Sequence, residues 1–228
     1  MRRILSIGLA ITFFATLTAC NIQNQSAAQT SYDSTKRVGG DCEAGYCDLI
    51  YVGMPKEINS VDTSAGWNEK GQKLLITGTV FQIDGKTPAP NVIAYYHHTD
   101  NNGYYSPRND KPENQTRHGH LRGWVKTGPD GKYAIHTVRP APYPGEQIPA
   151  HVHWLIKEPD IENEYWVGDL MFEDDKLLIP YQKNHTVGNR GGRGVERVLL
   201  KGDLQIAEHD FVLGLGVENY PKRIGGEK

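Results

Sequence analysis

The chain has 228 residues, a formal charge of −2 and 38% hydrophobic residues, which suits one globular domain of ordinary solubility. Its 25 basic residues are matched by 27 acidic ones, so the charge balance argues against a nucleic-acid partner.

Residues 1–19 read as a signal peptide. Arg2 and Arg3 supply the charged start, and Ile4 to Leu17 form an apolar run too short to span a bilayer comfortably. The segment closes Leu17-Thr18-Ala19-Cys20, which resembles the lipobox of bacterial lipoproteins. That resemblance implies cleavage before Cys20 and a diacylglycerol on its thiol; an ordinary signal peptide with an unrelated Cys is the alternative. Acyl chains would tie the exported protein to a membrane, on the periplasmic or outer-membrane side, at about 0.8 kcal/mol per buried methylene. Residues 20–40 are polar, end in Gly39-Gly40 and are expected to form a flexible tether. Residues 41–73 form a lead-in holding Cys42 and Cys47. A close pair across a turn in an exported protein is expected to be a disulfide, since nothing nearby supplies further Cys for a metal.

From 74 to 228 the pattern is β. Leu74–Phe81 and Val92–His98 read as strands, with a turn at Asp84-Gly85-Lys86 and another over Thr99–Gly103. Leu121–Thr127 and Lys132–Val138 flank Pro129-Asp130-Gly131 and read as a hairpin. His151–Lys157, Trp166–Phe172, Val195–Leu200 and Gln205–Leu213 complete the set. Short strands at this spacing predict an all-β fold, an antiparallel β-sandwich with loop-rich flanks. The glycines of Asn184–Gly194 mark a flexible loop that resembles no phosphate loop.

The chemistry gathers in Pro149-Ala150-His151-Val152-His153-Trp154. Strand alternation sends His151 and His153 to one face with bases about 7 Å apart, so two imidazoles can converge on one metal ion. Tyr143, held between Pro142 and Pro144, lies eight residues before His151, within reach of a loop that folds back. Tyr105 follows the Val92–His98 strand at an end where loops gather; Tyr104 is the competing choice, and alternation allows only one of the two to face the metal. Two phenolates and two imidazoles are a hard, anionic set that suits a ferric ion. His97, His98, His118, His120 and His136 read as surface or hydrogen-bonded strand residues. Arg117, Arg122 and Arg139 are near enough in sequence to line a pocket.

Gly103-Tyr104-Tyr105-Ser106, the Pro129–Tyr133 turn, Thr137–Pro144, Pro149–Trp154 and Glu173-Asp174-Asp175 together resemble the intradiol ring-cleavage dioxygenases, in their lipoprotein-anchored branch. The resemblance spans about Leu74 to Ile179, and its order is specific: Tyr, 38 residues, Tyr, eight residues, His-x-His. It implies Fe(III) on Tyr105 and His151 as equatorial ligands and on Tyr143 and His153 as axial ones. It also implies a catecholic substrate bound through both oxygens and opened with O₂ to a muconate-type diacid. An arginine precedes the Pro-Ala-His-x-His run in the well-known members, and here Ile148 stands there. A non-catalytic sandwich of the transthyretin-like or carboxypeptidase-regulatory kind also matches the turn pattern, but lacks the two tyrosines and the His-x-His. Nothing in the sequence speaks to oligomeric state.

Overall fold

The central strand, Lys73–Phe81 (β2), alternates half-buried and buried residues along its whole length, with Leu74, Ile76 and Val80 turned inward. In the computed structural model, which describes residues 36–42, 46–111, 114 and 116–221, this strand organises the first of two sheets. Val61–Thr63 (β1), Lys132–Val138 (β5), β2, Leu204–Glu208 (β10) and Val198–Lys201 (β9) lie side by side in that order, and Phe211–Val212 (β11) also pairs with β2. The second sheet runs Arg122–Lys126 (β4), Ile93–His98 (β3), His151–Lys157 (β6), Tyr165–Phe172 (β7) and Val195–Glu196 (β8). A short α-helix, Leu178–Gln182 (α1), follows β7. Tyr96, Trp154 and Leu170 from the second sheet meet Leu74, Ile76 and Tyr133 from the first in one core.

The expected sandwich is there, but four pairings are parallel: β1 with β5, β10 with β2, β11 with β2 and β7 with β8. The expected hairpin is not formed. The turn exists, with Gly131 at φ +71° and its N–H donating to Gly128 O at 2.9 Å. Yet β4 pairs with β3 while β5 pairs with β1 and β2, so the turn carries the chain from one sheet to the other. Both strands have an inward apolar face, and turn chemistry alone does not say whether they lie side by side or face to face. Val195–Leu200 likewise divides into β8 and β9, one in each sheet, and Gln205–Leu213 divides into β10 and β11.

The lead-in does more than precede the sandwich, because β1 belongs to the first sheet. The tether expectation also needs correction at its end. Val38 is fully buried, Gly39 N–H donates to Glu218 O at 2.7 Å, and Arg37 donates to Glu164 O at 2.9 Å. An apolar side chain and a cation find partners there, which a solvated tether would not offer. The signal peptide, Cys20 and most of the tether lie outside the described residues. Among the described residues no helix is long and apolar enough to cross a membrane.

Candidate active site

β6 places the two histidines as alternation requires: His151 and His153 on the outer face, Val152 and Trp154 in the core. Opposite them the ladder slips. His151 pairs with Met171 and Val152 with Leu170, but Trp154 pairs with Val167, so Gly168 and Asp169 together face His153. This bulge re-aims Asp169 toward the imidazole, and His153 Nδ1 lies 2.8 Å from Asp169 Oδ1.

The two tyrosines come from loops that are tied to each other. Thr99 Oγ1 donates to Ala141 O at 2.7 Å, and Ala141 N–H donates to Asp100 O at 3.1 Å. Asp100 also accepts from the N–H groups of Asn102 and Tyr104 and from Ser106 Oγ, which shapes the loop into Tyr105. Gly103, at φ +85°, passes so close to the second loop that a Cβ there would stand 2.1 Å from Pro142 O. Tyr105 and Tyr143 therefore meet, their hydroxyl oxygens 2.7 Å apart. Tyr104 points away and is 57% exposed.

Tyr143 Oη is the hub, 3.1 Å from His151 Nε2 and 3.2 Å from His153 Nε2, and these two nitrogens are 3.1 Å apart. The far side of each ring decides what this means. His151 Nδ1 faces Pro149 O at 2.7 Å and His153 Nδ1 faces Asp169, so both Nδ1 atoms must be N–H donors. In the neutral rings both Nε2 atoms then present lone pairs to each other. Burial pushes the His151 pKa down, as does the neighbouring His153, which keeps that ring neutral. Two lone pairs at such a distance repel unless a cation lies between them. Two nitrogens each about 2.1 Å from one ion, at a right angle, are about 3.0 Å apart. The residues present therefore fit a metal ion, with Asp169 fixing the tautomer and tilt of His153. Burial raises the Asp169 pKa, but the charge and hydrogen bond of His153 outweigh it and hold the carboxyl below its usual range.

Tyr105, Tyr143 and His153 line a cavity of about 230 Å³. Its wall holds residues that sequence reading placed elsewhere. His97 is buried, stacked on His118 at 3.6 Å and on His153 at 4.8 Å; it is no surface residue. His118 is held by Tyr95 Oη at 2.8 Å. Burial lowers the pKa of both rings, that of His118 to about 3, so the wall is neutral. His98 and His120 are buried and hydrogen-bonded, the first to Thr137 and the second to Glu69 and Ser106 O. His136 makes an edge contact with Trp67. Of the three arginines, Arg117 alone lines the cavity, its guanidinium 4.2 Å over the Tyr46 ring. Arg122 donates to backbone carbonyls of Leu49 and Val52, and Arg139 pairs with Asp174.

Tyr46 and Cys47 form the remaining rim, and Cys47 is disulfide-bonded to Cys42, Cα to Cα 5.6 Å. Ile148 is half-buried and is not among the cavity-lining residues. Asp169, which orients His153, is the residue at the site that the sequence did not point to. Its one signal is an acid inside the otherwise apolar run Trp166–Phe172.

Comparison with known proteins follows the same lines. The dioxygenase family matches residues 50–190, more than half the chain. Catechol 1,2-dioxygenase of Acinetobacter baylyi is 28% identical over 124 residues, covering 47% of this chain and 39% of that protein. Hydroxyquinol 1,2-dioxygenase of Nocardioides simplex is 28% identical over 170 residues, covering 67% and 55%. The chain thus spans about two-fifths to half the length of these curated relatives. Among solved structures, the dioxygenase domain of a dioxygenase–carbohydrate-binding fusion from Streptomyces sp. SirexAA-E superposes with a TM-score of 0.52 at 19% identity. The match covers 70% of this chain and 91% of that one, a likeness of fold. The chain belongs to the intradiol ring-cleavage dioxygenase family.

Proposed function

We propose that this protein is an Fe(III)-dependent intradiol dioxygenase that opens a catecholic ring between its two hydroxyl-bearing carbons. Both atoms of O₂ enter the product, a muconate-type diacid, so the reaction balances without a further reductant. The observation that carries the reading is the convergence of Tyr143 Oη with two imidazole lone pairs, with Tyr105 Oη beside it. Tyr105, Tyr143, His151 and His153 would hold the ion. The phenol oxygens favour a ferric ion over zinc, because they are hard donors that a strong Lewis acid deprotonates. When bound, such an ion makes a chelated catechol reactive toward O₂.

The chain's own residues do the rest. His151 and His153 are fixed on a strand by hydrogen bonds at Nδ1, whereas Tyr143 sits on a proline-flanked loop with no strand pairing of its own. Tyr105 too lies outside the strands, so the donor that can swing aside is a tyrosine, and the family resemblance assigns that part to Tyr143, whose oxygen can then take a proton from an incoming catechol hydroxyl. The stacked His97–His118 pair, Leu155 and Trp166 present a flat, uncharged wall against which a ring can lie. The test is iron content, visible spectrum and O₂ uptake on the ferric-loaded protein. A red-brown protein that converts a catechol to a muconate is expected. A colourless protein holding one equivalent of zinc after growth in ample iron would refute the assignment.

We also propose export and lipidation at Cys20, supported by the apolar run and Leu17-Thr18-Ala19-Cys20. Cys20→Ser should then convert a membrane-associated product into an unprocessed or soluble one. Unchanged fractionation and mobility would count against it.

A further inference from the structure

A second cavity adjoins the one at the tyrosines. This second cavity, of about 450 Å³, is lined by Trp166, Met171, Tyr181, Val187 and Arg190 among others. Trp166 and Asp169 line both hollows, and the disulfide spans the same rim, with Cys47 on the first and Cys42 on the second. Register places them on one face of one sheet. Met171 pairs with His151 and Trp166 with Leu155, so these side chains share the outer face that carries the histidines. Arg190 holds the far side in place. Its guanidinium lies 3.7 Å over the Trp166 ring, and its Nε donates to Trp166 O at 2.8 Å.

The first cavity, of about 230 Å³, is small for a ligand site, and pockets that take small molecules run to about 300–1,000 Å³. The second cavity adds, beside Asp41, Thr186 and Arg190, an indole, a phenol, a thioether and a valine, a surface that desolvates an aromatic ring well. Of the charged groups there, Asp169 is engaged by His153, and Arg190 by Trp166 O, Gly39 O and the Trp166 ring, so beside Asp41 the indole, phenol, thioether and valine are the surface open to a neutral ring.

We infer that the cleft takes a catechol bearing an aryl substituent, with the diol ring at the tyrosines and the second ring in the adjoining cavity among Trp166, Met171, Tyr181 and Val187. This rests on the dioxygenase reading for the first ring and on the cavity itself for the second. Burying a second ring should tighten binding at least about tenfold over catechol.

The experiment uses the ferric-loaded full-length protein. Catechol and both isomers of phenylcatechol are titrated calorimetrically without O₂, and O₂ uptake is then measured for each. One phenylcatechol should bind at least tenfold tighter than catechol. Gly188→Phe should remove that advantage, because Gly188 lines the second cavity and a Cβ there meets nothing within 4 Å. Val187→Phe is the second filler if the first fails to fold. Equal binding of catechol and both isomers, or an advantage that survives both fillers, overturns the inference. If a phenylcatechol binds tightly and the fillers abolish this, yet no catechol is cleaved, the cleft stands and the dioxygenase reading falls. If simple catechol is cleaved and no isomer is preferred, the reverse holds.

Discussion

The two faces of β6 differ as sharply as two parts of one strand can. Inward, Val152, Trp154 and Ile156 are buried among apolar side chains, Trp154 lying 5.1 Å from Phe211 and 5.9 Å from Tyr133, centroid to centroid. Outward, His151 and His153 gather phenols, imidazoles and a carboxylate into one polar cluster. A period of two places a core and a candidate metal site back to back along seven residues. The inner face is held by area removed from water, and the outer one by hydrogen bonds that leave two lone pairs aimed at one point. Stability and chemistry can therefore be altered separately, one residue apart.

Neighbouring substitutions give the largest effects. Trp154→Ala should cost about 3–5 kcal/mol of stability, read as a lowered denaturant midpoint, because it removes the largest of the fully buried side chains. His153→Ala should leave the midpoint of the metal-free protein within about 1 kcal/mol, as expected outside the core. It should weaken iron binding by at least about 100-fold, read by metal titration. Equal losses of stability from both would break the comparison.

Ile148 sharpens the outer face. It stands where relatives were expected to place an arginine, and of the candidate arginines only Arg117 reaches the cavity. A missing preorganised donor commonly costs about 100- to 1,000-fold in rate. Simple catechol should therefore be a slow substrate, and Ile148→Arg should raise its kcat by at least about tenfold. Fast cleavage of catechol by the unaltered protein would show that Ile148 is compensated.

The bulge at Gly168-Asp169 gives a smaller effect. Asp169→Asn keeps the shape but removes the carboxylate behind His153, and metal affinity should fall about 10- to 100-fold. The midpoint of the metal-free protein should move little, and a shifted charge-transfer band would separate a retuned ligand from a merely loosened fold.

The smallest effect lies away from both faces, where the chain enters the domain. Burial raises the Glu164 pKa, but hydrogen bonds from Tyr51 and Arg37 outweigh it and hold the carboxyl below its usual range. A lowered folded pKa gives stability that is present above the unfolded value, 4.5, and lost as pH falls through the folded one. Melting temperature should drop over that acidic window, and Glu164→Gln should flatten the drop.

The sequence was enough for the sandwich, for the placing of His151 and His153 on one face, and for Tyr143 as their neighbour. Each of these follows from local rules: alternation along a strand, proline on either side of a tyrosine, turn residues between apolar runs. Tyr105 over Tyr104 became definite only when Asp100 and Gly103 shaped the loop and left Tyr104 exposed. Sheet membership was not legible. Pro129-Asp130-Gly131 is the same turn whether its strands pair or face each other, and four parallel pairings join segments distant in sequence. Asp169 behind His153, His97 in the cavity wall and Tyr46 with Cys47 at the rim were beyond reach for the same reason. Their roles depend on which strands and loops become neighbours, and that is settled by burying apolar faces across the whole chain, not by the residues on either side of each one.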